Sequence, residues 1–438
     1  MRRDSAETTK LFAALKFRNY RLFAGGSFLS NIGTWLQRVA QDWLVLALTG
    51  SAGALGITTG LQFLPTLLFS PFAGVLADRF PKKVVLNWTQ AIMGITALVM
   101  GVLAITGSIT VWHVYVLTFV FGTAAALDVP ARQAFVNEMV DAEHLPNAVG
   151  LGSASFNLAR MIGPALAGAL IALMGSGVAA TGCVIILNAF SYGAIVISML
   201  MMRDSELRPT KTLVRTKGAL RDGVRYVRAR PDIMMILAIV FCTGTFGLNF
   251  QMTTALMATE VFDKGAGEYG LLGSILAVGS LAGSLLAARR RRPRQAIIIG
   301  ASIAFGAVEV LSGLMPSYLT FAVMLPLCGL TSLVMITTAN AFVQMSVSGE
   351  MRGRVMALYM CIFMGGTPLG APILGWVAEQ WGARWTLIGG GALTVVGTIL
   401  STMLLANRQG QSVRHSLRRG LSAYRTPLVR EPMTRGTR

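Results

Sequence analysis

The chain has 438 residues, 54% hydrophobic and only 13% charged, with a mean hydropathy of +0.62. That composition excludes an ordinary soluble domain and points to an integral membrane protein. The net charge of +19 invites a nucleic-acid reading, but the basic residues gather at the ends of apolar runs, where a membrane surface is the expected partner and nucleic acid is not.

The first 21 residues are polar and basic, with no short apolar core before a small-residue cleavage site, so the first apolar run is expected to be retained. A spanning helix needs about 20 mostly apolar residues. Twelve runs qualify: 22–48, 53–77, 84–106, 111–133, 147–173, 178–202, 233–258, 268–288, 296–314, 318–345, 354–377 and 385–406. The ten-residue alternation of a membrane barrel is absent, so the expected class is an all-α membrane protein with twelve transmembrane helices. Cys183, Cys242, Cys328 and Cys361 all fall inside spans without paired spacing, which implies neither a disulfide framework nor a metal site.

The stretch 203–232 is the longest polar interruption and divides the spans six and six. The expected organisation is a cytosolic N-terminus (1–21), a six-helix bundle (22–202), a cytosolic linker (203–232), a second bundle (233–407) and a basic cytosolic tail (408–438). In the linker, Leu220, Val224 and Val227 recur at helical spacing among Arg221, Arg225 and Arg228. That pattern fits a helix on the inner leaflet or a solvated linker helix. With the termini and even-numbered turns inside, 34 of the 38 Lys and Arg residues face the cytosol; Arg38 and Arg160 lie in spans, and Lys264 and Arg384 outside. The basic loops and tail are expected to meet anionic lipid.

The halves repeat. At an ungapped offset of 207, Ala134-Phe135-Val136 meets Ala341-Phe342-Val343, Glu143 meets Glu350, Gly163 meets Gly370 and Gly168 meets Gly375. Two parallel six-helix repeats around a central pathway are the plan of a secondary transporter. No nucleotide loop, metal cluster or nucleophile arrangement points to an enzyme, and no cofactor is implied.

Four ionisable residues lie deep in spans: Arg38, Asp42, Arg160 and Glu309. A charge at the centre of a span costs roughly 2.5–3.5 kcal/mol on insertion scales. An i,i+4 pair returns only about 0.2–0.5 kcal/mol, and Arg before Asp is the weaker order. Arg38 and Asp42 therefore need partners on other helices or a wet cavity. Ser27, Asn31, Thr34, Arg38 and Gln41/Asp42 form one polar stripe, and Asn249 and Gln251 belong to a neutral counterpart in the seventh span. Asn31, Thr34, Gln41, Asn249 and Gln251 are accordingly expected to line a substrate cavity. Two readings of the charges stand: a proton-coupling site with Asp42 as the acid and Arg38 or Arg160 modulating it, or a static ion network. Glu309, with no cation nearby in sequence, is expected to snorkel to the outer interface.

The turn GVLADRFPKKVVL, 74–86, resembles the G-x-x-x-D-R-x-x-[RK]-[RK] signature of the major facilitator superfamily, with Gly74, Asp78, Arg79, Lys82 and Lys83 in place. The second half keeps only the charge, in LLAARRRRPRQ. The resemblance implies the major facilitator fold. It also implies a gate in which Asp78 meets the start of the eleventh helix near Arg354 and Lys82 pairs with Asp128. In the fifth span, Gly163, Pro164 and Gly168 resemble the Gly-rich antiporter signature of proton-driven exporters, while Ala159 and Ala167 replace two of its glycines. The superfamily's fourth-span Arg is missing, since Thr118 precedes Gly122 at that spacing. The first span and the stretch Asp128, Pro130, Ala131, Arg132, Gln133, Ala134 resemble the branch that contains the enterobactin exporter and the macrolide efflux permeases. The resemblance implies a monomeric bacterial inner-membrane exporter that moves a lipophilic small molecule against protons. A facilitator or importer of the same fold, or a non-transporting sensor, are the alternatives.

Overall fold

Twelve long helices and one short one make up the described part of the chain, residues 12–208, 219–289 and 293–408 of a computed structural model; side chains at 70–79, 219–220 and 405–408 lie outside the description. The first half contains α1 (Arg18–Thr49), α2 (Ala52–Arg79), α3 (Lys82–Ile105), α4 (Val111–Met139), α5 (Leu145–Leu173) and α6 (Val178–Leu200). The short α7 (Ala219–Arg228) precedes α8 (Pro231–Val261), α9 (Ala266–Ala288), α10 (Gln295–Gly313), α11 (Tyr318–Ser346), α12 (Gly349–Trp381) and α13 (Arg384–Arg408). Eleven of these are long and apolar enough to cross a membrane. The twelfth long helix, α1, has 32 residues, and its polar stripe lowers its hydropathy.

The packing repeats between halves. In the first half α1 packs on α5 and α6, α2 on α4, and α3 on α4 and α6; in the second, α8 packs on α12 and α13, α9 on α11, and α10 on α11 and α13. The halves join through two related seams, α2 against α12 and α5 against α9. The offset of 207 shows why. A Cβ on Gly163 would sit 2.6 Å from Trp35 Cβ of α1, and one on Gly370 would sit 1.7 Å from the Thr245 carbonyl oxygen of α8. One on Gly168 would meet the Ala266 oxygen of α9 at 2.4 Å, and one on Gly375 the Ala52 oxygen of α2 at 2.8 Å. Lipid offers helices no hydrophobic drive to associate, so close backbone approach at small residues carries this packing. Pro164, in the same motif, stacks its carbonyl against Gly270 across the seam.

The seventh span is interrupted. Thr243–Gly247 and Met257–Val261 are π-helical, and Leu248–Asn249 break the helix between them. The widened backbone fits only because Gly366, Gly370 and Gly390 face it. Helix α7 sets its Gly223 and Val227 inward, with Arg354 of α12 paired to Asp222 at 3.3 Å, and turns Arg221, Arg225 and Arg228 outward.

Three expectations change. The signature turn is almost all helix: α2 runs to Arg79 and α3 starts at Lys82, so only Phe80 and Pro81 connect them. Lys82 pairs with Glu138 at 3.5 Å rather than with Asp128, which is bound by Arg132 at 2.9 Å, Thr89 at 2.9 Å and Gln90 at 2.7 Å. Arg132 is one turn along the same helix and so reaches Asp128 first. Glu309 does not snorkel: it is 1% exposed, faces Gly247 and Gly390, and its Oε2 has no partner. The inward stripe of α10, Ser302, Phe305, Glu309 and Ser312, turns toward its bundle rather than toward lipid.

These two buried acids predict opposite outcomes. Asp128→Ala strands three donors and should lower stability by about 3 kcal/mol, the low end for breaking a buried pair. Glu309→Met removes an unsatisfied acid at similar volume and should leave stability within ~1 kcal/mol of the parent or raise it. Thermal unfolding in detergent measures both, and the reverse order would refute these assignments.

Candidate functional site

Asp42 lies where α1 meets the second half. It is 1% exposed, and its Oδ2 accepts hydrogen bonds from Gln251 Nε2 of α8 at 2.7 Å and from the Tyr269 hydroxyl of α9 at 2.7 Å. Gln251 also reaches the Arg38 carbonyl at 3.5 Å, and Tyr269 the Gln251 carbonyl at 3.2 Å. One carboxylate thus ties three helices and both halves together. Gln251 lies in the first turn of the helix that resumes at Phe250, just after the unwound Leu248–Asn249 step.

The sequence reading set Asp42 between Arg38 and Arg160. The structure corrects this, since neither arginine forms an ion pair with Asp42. Both sit on Trp35 instead, with the Arg38 Cζ 4.6 Å and the Arg160 Cζ 5.6 Å from its ring centroid. Arg38 also lies 5.6 Å from the Phe63 ring, while Arg160 donates to Ser280 of α9 at 3.2 Å. Arg38 Nε has no hydrogen-bond partner. The physical reason is direction: the i,i+4 guanidinium folds back over Trp35, and neutral donors from the other half take the carboxylate.

The expected cavity residues separate into two groups. Asn31 and Thr34 are half-buried on α1, with Thr34 donating to the Ser30 carbonyl at 2.8 Å and meeting the Tyr192 hydroxyl at 3.0 Å. Gln41 is buried with Nε2 unpartnered. Asn249 donates to the Thr245 carbonyl at 2.8 Å, and its Oδ1 has no partner.

A second contact joins the halves nearer the odd-numbered turns. Glu379 of α12 accepts from the Ser51 hydroxyl and from the Gly53 amide at 3.0 Å, at the N-terminus of α2. Unpaired amides at a helix start favour an anion there. A Cβ on Gly53 would lie 2.7 Å from Glu379 Oε1, so a larger residue there would push the carboxylate aside. Ser274 Oγ adds a bond from the Ala165 amide at 3.0 Å on the other seam. Sequence reasoning missed Tyr269 and Glu379. Both lie at span ends where a polar residue is unremarkable, and no sequence signal marked them.

On the opposite face, Lys83 pairs with Asp204 at 2.6 Å. Gly74, Asp78 and Arg79 occupy the last turns of α2, and their side chains lie outside the described residues.

Comparison with known proteins identifies the family and the fold. The profile of the transmembrane secretion effector family matches residues 9–434. The chain is 23% identical to the staphyloferrin A transporter of Staphylococcus aureus, over 88% of this chain and 94% of that one. It is 22% identical to macrolide efflux protein A of Streptococcus pyogenes (88% and 95% covered) and 25% identical to the enterobactin exporter of Shigella flexneri (87% and 90%). Among solved structures, the fold resembles a D-xylose-proton symporter with a TM-score of 0.70 at 11% identity (88% and 97% covered). It also resembles a bacterial homologue of the lysosomal transporter Spinster, with a TM-score of 0.69 at 15% identity (91% and 98% covered). The chain is a multi-pass membrane transporter and not an enzyme: it belongs to the transmembrane secretion effector family of the major facilitator superfamily.

Proposed function

We propose that this protein is a proton-coupled exporter of a lipophilic small molecule in the bacterial plasma membrane, working by alternating access. Three of its relatives are named for a siderophore or for macrolide efflux. The basic residues favour cytosolic termini and cytosolic even-numbered turns, with the basic tail 408–438 against anionic lipid. The odd-numbered turns then face outward, and the described contacts between the halves close that side.

The observation that carries the reading is Asp42 held by donors from the other half. Two neutral donors on one oxygen suit the ionised carboxylate and offset part of the cost of its burial. Opening the outer side removes both donors at once, which favours the protonated acid, and lets a proton reach it from outside. Closing it returns Asp42 to Gln251 and Tyr269, and the proton is passed inward. Moving one positive charge inward down 100 mV releases about 2.3 kcal/mol, and a pH gradient adds to that. Arg38 and Arg160 act nearby without neutralising the acid. At the cytosolic side, the gate is assigned to Gly74, Asp78 and Arg79 against the start of α12, flanked by Lys83 and by Asp128 with Arg132 in place of Lys82.

The test uses inverted vesicles, whose exposed face is cytosolic, and the compound found by comparing the export profile of an expressing strain with its null. Asp42→Asn should abolish accumulation driven by a proton gradient while passive exchange of bound substrate survives. Gradient-driven accumulation that persists in Asp42→Asn would overturn the assignment. Uptake into right-side-out vesicles only would favour an importer.

A further inference from the structure

The structure assigns Arg38 and Arg160, both packed on Trp35, to a subsite for the anionic group of the exported molecule, so that the preferred substrates are aromatic or apolar compounds bearing a carboxylate. This rests on the export reading only in calling the ligand the cargo. Two guanidinium groups share one indole, 4.6 and 5.6 Å from its centroid, and like charges brought so close inside a membrane protein repel unless an anion joins them. Among the described residues, no carboxylate lies within ion-pair distance of either arginine. Asp42, one turn away, spends its inward oxygen on Gln251 and Tyr269 and pairs with neither arginine. Arg160 meets only the neutral hydroxyl of Ser280 at 3.2 Å, and Arg38 Nε is buried with no partner.

The other half does not compensate. At the repeat offset of 207, Arg38 and Asp42 correspond to the uncharged Thr245 and Asn249. The site therefore carries at least one uncancelled positive charge with Asp42 ionised, and two when it is protonated. It is also reachable: Trp35, Arg38, Phe63 and Arg160 are half-buried, and Phe156, edge-on to Trp35 at 5.7 Å, is 47% exposed. Guanidinium forks match a carboxylate in two parallel hydrogen bonds, while the Trp35, Phe63 and Phe156 rings offer an apolar wall for the rest of the molecule. A ring-stacked arginine keeps its donors at the ring edge, free for such a ligand.

The experiment is equilibrium binding to purified protein in detergent, followed by tryptophan fluorescence, with 1-naphthoate and its neutral isostere 1-naphthamide as probes. The parent protein should bind naphthoate at least tenfold more tightly than naphthamide. Arg38→Gln and Arg160→Gln should each remove most of that preference, whereas Arg160→Lys, which keeps the charge, should retain most of it, with folding of every variant checked by thermal unfolding. Arg225→Gln, an exposed cation on α7 far from the site, should change nothing. Equal affinity for the two probes, or a preference that survives both Gln variants, would overturn the proposal. Binding needs no gradient, so it can succeed where vesicle export fails, and failure of either result is told apart from failure of the other.

Discussion

The two hydrogen bonds that Asp42 accepts across the seam, from Gln251 and Tyr269, are the contact on which the rest of the arrangement depends. A carboxylate buried at this depth is tolerable only with donors aimed at it, and both donors come from the opposite half. The geometry upstream serves that contact. Gln251 meets α1 just after the α8 break, the Gly366, Gly370 and Gly390 beds allow the break, and the Gly168 and Gly270 contact brings α9 close enough for Tyr269 to reach.

The seam is also asymmetric in a way that suits a moving part. Within each half, helices meet over buried apolar side chains and small residues; between halves, close backbone approach and a few polar bonds add to a buried apolar cluster that both halves share. Glu379 at the α2 start is one such bond, a carboxylate on amide groups and a hydroxyl with no opposite charge. Contacts of this kind exchange for water at small net cost, because water replaces each hydrogen bond. Separation of the halves on this face, as the proposed function requires, would exchange these polar bonds for water and would also part the apolar cluster that the halves share.

Much of this was legible in the sequence. The all-α membrane fold follows from hydropathy, with eleven helices long and apolar enough to cross a membrane, and the repeat follows from the 207-residue offset. The structure gives the matched glycines of that offset matched roles, Gly163 with Gly370 inside each half and Gly168 with Gly375 at the seam. The first-span polar stripe correctly marked an interior face. What the sequence could not give was direction. Arg38 and Asp42 are one turn apart, yet their side chains part company, one over Trp35 and one toward α8. Lys82 likewise had two acids within reach, and Arg132 on the same helix as Asp128 decided which it met. Glu309 looked peripheral because α10 is short and no cation lies near it in sequence; only packing reveals that its stripe turns inward. Tyr269 carried no signal at all, since a tyrosine near a span end is ordinary in membrane helices.

The central claim is that Asp42 holds the outward face closed. It is tested most directly by the distance between spin labels at Ser108 and Lys264, exposed positions on the odd-numbered turns of the two halves, in a protein whose native cysteines are replaced. Asp42→Ala should shift the distribution measured by pulsed electron resonance toward longer distances than in the parent protein at neutral pH. An identical distribution in the two proteins would contradict the account.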